Sequence, residues 1–431
     1  MNPLTHGIRR LCFLSAWLWG SLAFAGATPK DLPQQEIWYH SGYPGGVVGP
    51  RSGISATMGP TKMPVIFEAI LRDRLIEPNR IHTDHPGVPG RASIPVPIDL
   101  PSLRAVHSDR YIKAILTGEP KSLALSQGLP LWNPRIARGW LLNVGGLAAA
   151  SRVALEKKTL TANLGHGYHH ATMTQGMGFC TLNGLVIVSA KMIREGLARR
   201  IMIIDLDHHE GNGTAEMVIG DSSIWNLTIY GSPMGGLPPA ANHHGIRVGH
   251  EYFTDDIGRD ANYLAIISEI LPSLLDRHDP DLLIYQAGMD PYDGAGITPQ
   301  ALAIRDAFVF ALARSRNKPL TWVLAGGYAE LDTLARLHTQ TVRMANEVLA
   351  QVKPGDRIAH RGSNAYCWSV KNGLLRFPDW KGILRGNFRM SAPDRMAPEQ
   401  ALSWAAARRR ILHEHRLPDT EMESIYHALF P

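Results

Sequence analysis

Cysteine is scarce in this chain, with three residues in 431. That count excludes a disulfide-built scaffold. Cys12 falls in the first apolar run, which leaves Cys180 and Cys367, far apart in sequence, as two expected free thiols. Long apolar runs are missing too. After residue 25 no stretch reaches membrane-spanning length, so a stable membrane span is not expected. A basic stripe interleaved with aromatics is also absent. The net charge is +6, but residues 355–431 hold 12 Lys/Arg against 8 Asp/Glu, and Arg9 and Arg10 supply the remainder. The middle of the chain is therefore close to neutral, and nothing points to nucleic acid. No internal repeat is visible.

What is present suits a globular enzyme: 45% hydrophobic and 19% charged residues, enough for one large α/β domain or two smaller ones. Residues 1–25 read as a secretory signal, with Arg9-Arg10 ahead of an apolar stretch and Ala23-Phe24-Ala25 as the small-x-small site. Export to the periplasm or the medium after cleavage near Ala25 is the expectation.

From residue 160 onward the pattern alternates. Strands are expected at 160–164, 201–207, 224–230, 282–286 and 321–324. Helices are expected at 140–157, 182–197, 262–277, 299–315 and 331–352, with two more at 62–75 and 107–116. Loops are expected at 26–60, 78–104, 165–178 and 231–250. This order predicts an α/β fold with a mainly parallel sheet covered by helices on both faces. The tail from 355 carries Trp368, Trp380 and Trp404 and reads as an extension laid on the main domain, ending in an Ala/Arg-rich surface helix at 399–415.

The chain is organised around residues 200–214, where an apolar strand runs into Asp205, Asp207 and His209 and then Gly211 and Gly213. In open α/β sheets ligands bind beyond the carboxyl ends of strands. On a continuing strand, side chains two apart face the same way, so Asp207 and His209 can offer one oxygen and one nitrogen to a single cation. An acidic strand-to-helix turn with a solvated histidine is the plain alternative. Three other strand ends carry unusual residues. Gly165-His166-Gly167-Tyr168-His169-His170 offers either a general-base pair or a surface pair. Asp290 in Gln286-Ala287-Gly288-Met289-Asp290-Pro291 is a third ligand or a helix cap. Tyr328 in Ala325-Gly326-Gly327-Tyr328 is a donor to an oxyanion or an aromatic plug. Taken together, Asp207, His209 and Asp290 leave one zinc position open, the pattern of a catalytic site. His169 or His170 would take a proton from water and Tyr328 would polarise a carbonyl, which describes amide hydrolysis.

The set GYHHA, GFC, DLDxHxGNGT, AGMDP and GGY, in that order across residues 36–352, resembles the zinc-dependent histone deacetylase and acetylpolyamine amidohydrolase superfamily. The resemblance implies the arginase-like three-layer fold around an eight-stranded, mainly parallel sheet. It implies one Zn2+ per chain on Asp207, His209 and Asp290, with His169 and His170 as the tandem base and electrostatic partner. Asp205 and Asn212 would hold those histidines, and Tyr328 would polarise the carbonyl. Gly178 would offer its carbonyl to the substrate amide and Phe179 would line an acyl-lysine tunnel. A structural K+ is implied near Asp205, Asp207, His209 and Thr228. The implied substrate is a small acylated amine or an acyl-lysine peptide. The implied domain division is a signal peptide at 1–25, a catalytic domain at 26–354 and an extension at 355–431.

Some features depart from the pattern. His208 and Glu210 flank the ligand histidine, and Glu210 is expected to raise nearby histidine pKa values by its charge. The loop 231–250 lacks the Phe-rich second tunnel wall, and His243-His244 within it read as rim residues. The stretch Ser55-Ala56-Thr57-Met58-Gly59 is more similar to the class IV branch. Two alternatives stand beside this reading: a binuclear manganese ureohydrolase of the arginase type, and a non-catalytic acyl-lysine binding module.

Overall fold

The computed structural model describes residues 33–43, 62–361, 368–384, 388–391, 395–414 and 416–430. The expected signal, the Ser55–Gly59 stretch and Cys367 lie outside the described residues. Eight strands form the body of the central sheet: β1 (Glu36–Trp38), β2 (Ile81–His82), β3 (Leu160–Asn163), β4 (Ile201–Asp205), β5 (Ile224–Tyr230), β6 (His243–Val248), β7 (Leu282–Gln286) and β8 (Leu320–Val323). In space they run β6-β5-β4-β7-β8-β3-β1-β2 and all pair in parallel.

The strands alternate by face. Met202 and Ile204 of β4 enter one core and Ile201 and Ile203 enter the other. Leu283 and Tyr285 of β7 follow the first pair, and Leu282 and Ile284 the second. Both faces are buried, which is why these strands read as continuous apolar runs rather than as polar/apolar alternation. One core takes the helices Lys62–Arg72, Asp256–His278, Pro299–Ser315 and Leu331–Gln351, and the other takes Pro134–Lys157 and Gly184–Arg194.

Periodicity located the helices, but caps set where they start. Asn133 accepts from Ile136 N–H with Pro134 following, so that helix begins at 134 rather than 140. Asp255 accepts from Gly258 N–H and starts the next long helix at 256 rather than 262. Three strands lie inside stretches expected to be loop. β1 and β2 are two or three residues long and exist only by pairing at the sheet edge. β6 reads His-His-Gly-Ile-Arg-Val, which has little strand character of its own. Its position corrects the expectation for His243 and His244. Neither rims a site: His243 is fully buried, its Nδ1 3.1 Å from Asn226 Nδ2 on β5.

The tail adds three strands in a separate sheet, β9 (Arg357–Arg361), β10 (Ser369–Lys371) and β11 (Leu374–Pro378), and then β12 (Met390–Ser391), which pairs antiparallel with β6 as a ninth strand of the main sheet. Phe377 and Trp380 meet Phe308 edge to face at 4.9 and 5.6 Å. The helix Pro398–Glu414 then crosses the short helix Asn212–Val218. There Trp404 Nε1 donates to Glu216 O at 2.9 Å and Arg408 Nη1 donates to Met217 O. The last helix, Asp419–Ala428, is tied to the body by Arg104, which is bidentate to Asp109 and also binds Asp419. No helix among the described residues is long and apolar enough to cross a membrane.

Candidate active site

The sheet order itself locates a crevice. From β4 the chain moves outward to β5 and β6, and from β7 it moves the opposite way to β8. Strands β4 and β7 are neighbours in register, with Asp205 opposite Gln286. Between two such strands the connecting segments part and leave room for a ligand. Asp205 ends β4, Asp207 and His209 follow it, and Asp290 follows β7. β4 ends at Asp205, two residues earlier than expected. Asp207 and His209 therefore share a direction through the turn that follows and not through a continuing strand.

Asp207, His209 and Asp290 each offer an atom within 4.8 Å of the other two. His209 Nδ1 lies 2.9 Å from Asp290 Oδ2 and 3.4 Å from Asp207 Oδ1. Backbone N–H groups aim both carboxylates: Gly326 N–H donates to Asp207 Oδ2 at 2.9 Å and His208 N–H to Asp290 Oδ1 at 2.9 Å. Asp290 stands at the cap position of the helix Pro291–Ala295 but makes no side-chain cap bond, so capping does not explain it. A Cβ at position 326 would collide with both carboxylates, which is why glycine stands there.

Two buried carboxylates this close repel each other. Burial and the charge of Asp207 push Asp290 up to about 7, and the two carboxylates push His209 up to about 10. The two carboxylates thus favour positive charge at the position they share with His209. The donor set of two carboxylate oxygens and one imidazole nitrogen fits a divalent ion such as zinc.

The tandem histidines lie beside this cluster. His169 Nδ1 is 2.8 Å from Asp205 Oδ2, and His170 Nδ1 is 2.7 Å from Asn212 Oδ1. The ring centroids are 3.9 Å apart. Their partners divide them. Burial acts against the imidazolium of His169, yet the Asp205 and Asp207 charges overcome it and raise its pKa to about 9. Burial and the neighbouring His169 lower His170 to about 3. One ring is held charged and the other neutral, 3.9 Å apart.

Gly178 and Phe179 form the two central residues of a tight turn. Both have positive φ, +53° and +63°, and Met177 and Cys180 bond across it. This is the type I′ geometry. It strains phenylalanine, and Phe179 N–H is anchored on Gln127 O at 2.8 Å. A Cβ on Gly178 would strike the His170 ring. Phe179 and Tyr328 line one pocket together with His169, Asp207 and Gly326. Tyr328 is half-buried, its ring 6.0 Å from that of His209. Burial and the Asp207 and Asp290 charges raise its phenol pKa, so it stays a donor.

Glu210 does not act as expected. Its carboxylate turns onto the following loop and accepts from Met234 and Gly236 N–H at 2.9 and 3.1 Å. The raised histidines owe their shifts to Asp205, Asp207 and Asp290. Thr228 is fully buried opposite Asp205 in register, and its hydroxyl accepts from Gly211 N–H at 3.3 Å. Lys62, His166 and Cys180 also line the pocket; the last two lie in stretches expected at the site, but no role was expected for any of the three. His166 stood in a histidine-rich stretch and was legible in principle. Lys62 begins a helix far upstream and gave no signal.

Comparison with known proteins follows the same lines. Residues 57–345 match the histone deacetylase domain. An uncharacterized protein of a Picosynechococcus strain is 31% identical over 294 residues, covering 67% of this chain and 92% of its own length. Histone deacetylase 2 of Arabidopsis thaliana is 27% identical over 268 residues, 58% of this chain and 67% of its own. The crystal structure of the HDA15 HD domain is similar with a TM-score of 0.58 at 18% identity, covering 73% of this chain and 94% of that one. At that identity the likeness concerns the fold.

Proposed function

Because this chain belongs to the histone deacetylase family, we propose that it is a zinc-dependent amidohydrolase that removes an acyl group from an acylated amine, of the acyl-lysine or acylpolyamine type. The observation that carries the reading is the convergence of Asp207, His209 and Asp290 beside the tandem histidines at the β4/β7 crevice.

Asp207, His209 and Asp290 would hold the zinc, and the ion would supply a Lewis acid that polarises the amide carbonyl and acidifies water. Neutral His170, with Nδ1 on Asn212, keeps Nε2 free to accept a proton from the attacking water. His169, held cationic by Asp205, stabilises negative charge developing beside it. Tyr328 keeps its phenolic proton and donates to the carbonyl oxygen as it gains charge. The departing amine then takes a proton from His170. Gly178 would accept the substrate amide N–H through its carbonyl, and Phe179 would flank the acyl-lysine stem.

The manganese ureohydrolase alternative needs further carboxylates for a second ion. Gly211 stands next to Glu210, whose carboxylate is committed to the loop. Among the described residues only one three-ligand group is found. A non-catalytic module would have no use for a neutral histidine beside a charged one. The K+ near Asp205 remains part of the proposal and rests on family resemblance alone. Export by residues 1–25 remains part of it too, and it would direct the enzyme to acylated amines outside the cytoplasm.

Metal analysis of the full chain, joined to a hydrolysis assay on acetyl-lysine peptides and acetylpolyamines, tests the reading. One zinc per chain with amine release is expected. Two manganese ions per chain, or zinc without hydrolysis of any acylated amine, would overturn it.

A further inference from the structure

Among the ionisable groups of the pocket that the mechanism leaves unused, Lys62 stands apart by its charge. Lys62 is 4% exposed and lines the same pocket as Asp207, Phe179 and Tyr328. Its ammonium donates to Ala325 O at 2.5 Å. Among the described residues no carboxylate lies within ion-pairing distance of it. Lys62 belongs to the helix Lys62–Arg72. Burial lowers its pKa only to about 8, because Asp290, Asp207 and Asp293 oppose the effect. Near pH 7 it remains a cation.

Among the described residues, the other titratable groups that face it supply no anion at ion-pairing distance. His166, on the pocket wall, and His338, fully buried with both ring nitrogens unpartnered, are kept neutral by burial and by Lys62 itself. Burial holds the Cys180 thiol protonated. Of the acidic charges that favour the ammonium, Asp290 and Asp207 would be neutralised by a bound divalent ion, and Asp293 lies beyond ion-pairing distance. With those two charges held by an ion, the Lys62 amine in the pocket wall keeps only the Ala325 carbonyl as a close partner, and an anionic ligand group is what would hold it protonated. A buried ammonium in that state is strongly unfavourable unless an anion joins it. An alkyl chain offers it nothing.

We propose that Lys62 selects acyl groups that end in a carboxylate, so that the preferred substrates are amines carrying a dicarboxylic monoacyl group of the malonyl, succinyl or glutaryl kind. This rests on the amidohydrolase reading above and specifies its substrate. Water adds its oxygen to the acyl carbon, the C–N bond breaks, the amine leaves with a proton, and a dicarboxylic acid is released. Throughout, the distal carboxylate accepts from the Lys62 N–H groups that Ala325 leaves free.

The test compares matched lysine peptides on the zinc-loaded full chain: succinyl against butyryl, and glutaryl against pentanoyl, with acetyl as reference. In the native protein at least one carboxylate-ended member should exceed its alkyl partner in kcat/KM by on the order of 100-fold. Lys62→Met should bring that ratio to one or below, and Lys62→Arg should retain much of it. Equilibrium binding of glutaryl-lysine and pentanoyl-lysine peptides, followed by fluorescence anisotropy, should show the same reversal without turnover. Failure to hydrolyse any acyl peptide would defeat the amidohydrolase reading, and the binding ratio would still decide the role of Lys62. A native ratio at or below one, or a ratio unchanged in a folded Lys62→Met protein, would show Lys62 to be a strut between its helix and Ala325 and overturn the proposal.

Discussion

His170 Nδ1 and Asn212 Oδ1 lie 2.7 Å apart. Asn212 is the first residue of the helix Asn212–Val218, and Thr214 N–H in its first turn donates to His169 O at 2.9 Å. That short helix therefore grips the tandem-histidine loop by a side chain and by its backbone.

The partner at 212 is neutral, which lets burial keep His170 unprotonated. An anion in its place stabilises the imidazolium and raises the pKa of His170. Asn212→Asp should move the acidic limb of the kcat/KM profile to higher pH and lower the rate at pH 6 by about 10-fold. An acidic limb that stays in place would contradict the role given to Asn212.

Metal uptake should release protons. In the metal-free protein His209 is raised to about 10 and Asp290 to about 7, and both must be deprotonated to bind an ion. Zinc affinity should therefore rise with pH, steeply up to about 7 and more gently up to about 10. Calorimetry in buffers of different ionisation enthalpy should find at least one proton released per zinc at pH 7. A pH-independent affinity between 6 and 9 would argue against this ligand set.

Tyr328→Phe removes one hydroxyl from the pocket wall and leaves all three ligand side chains untouched. Zinc content should stay at the native value while kcat falls by about 100-fold, the usual scale for a lost oxyanion donor. Full turnover in the variant would assign the phenol to packing alone.

At the other end of the helix Asn212–Val218, the tail supplies what the helix lacks. Trp404 and Arg408 donate to the carbonyls of Glu216 and Met217, which a helix end leaves without partners. Arg408→Met should destabilise the protein by about 1–2 kcal/mol in denaturant titration, and Trp404→Phe by about 1 kcal/mol. A shift below a few tenths of a kcal/mol in both would show the contact to be incidental.

Much of this molecule was legible in one dimension. The spans 224–230, 282–286 and 299–315 were expected to the residue and are found as Ile224–Tyr230, Leu282–Gln286 and Pro299–Ser315. Their apolar periods and their caps are local, so neighbours along the chain carry the information. The reactive side chains at 169, 170, 205, 207, 209, 290 and 328 were legible because unusual residues collect where apolar strands stop.

Pairing across the chain was not legible. Nothing between residues 209 and 290, 81 positions apart, says that β4 and β7 are neighbours, and only that adjacency brings the third carboxylate to the first two. The strand character of β6 arises from a partner and not from its own residues. The turning of Glu210 away from the cluster depends on a loop that folds back over it, and the burial of Lys62 in the pocket depends on Ala325, 263 positions downstream. Local propensity and periodicity act over a few residues, whereas the field at a site is the sum of groups that only the packed fold brings within a few ångströms. The sequence by itself thus determined which side chains could react, and the tertiary structure decided which of them meet and in what state of charge.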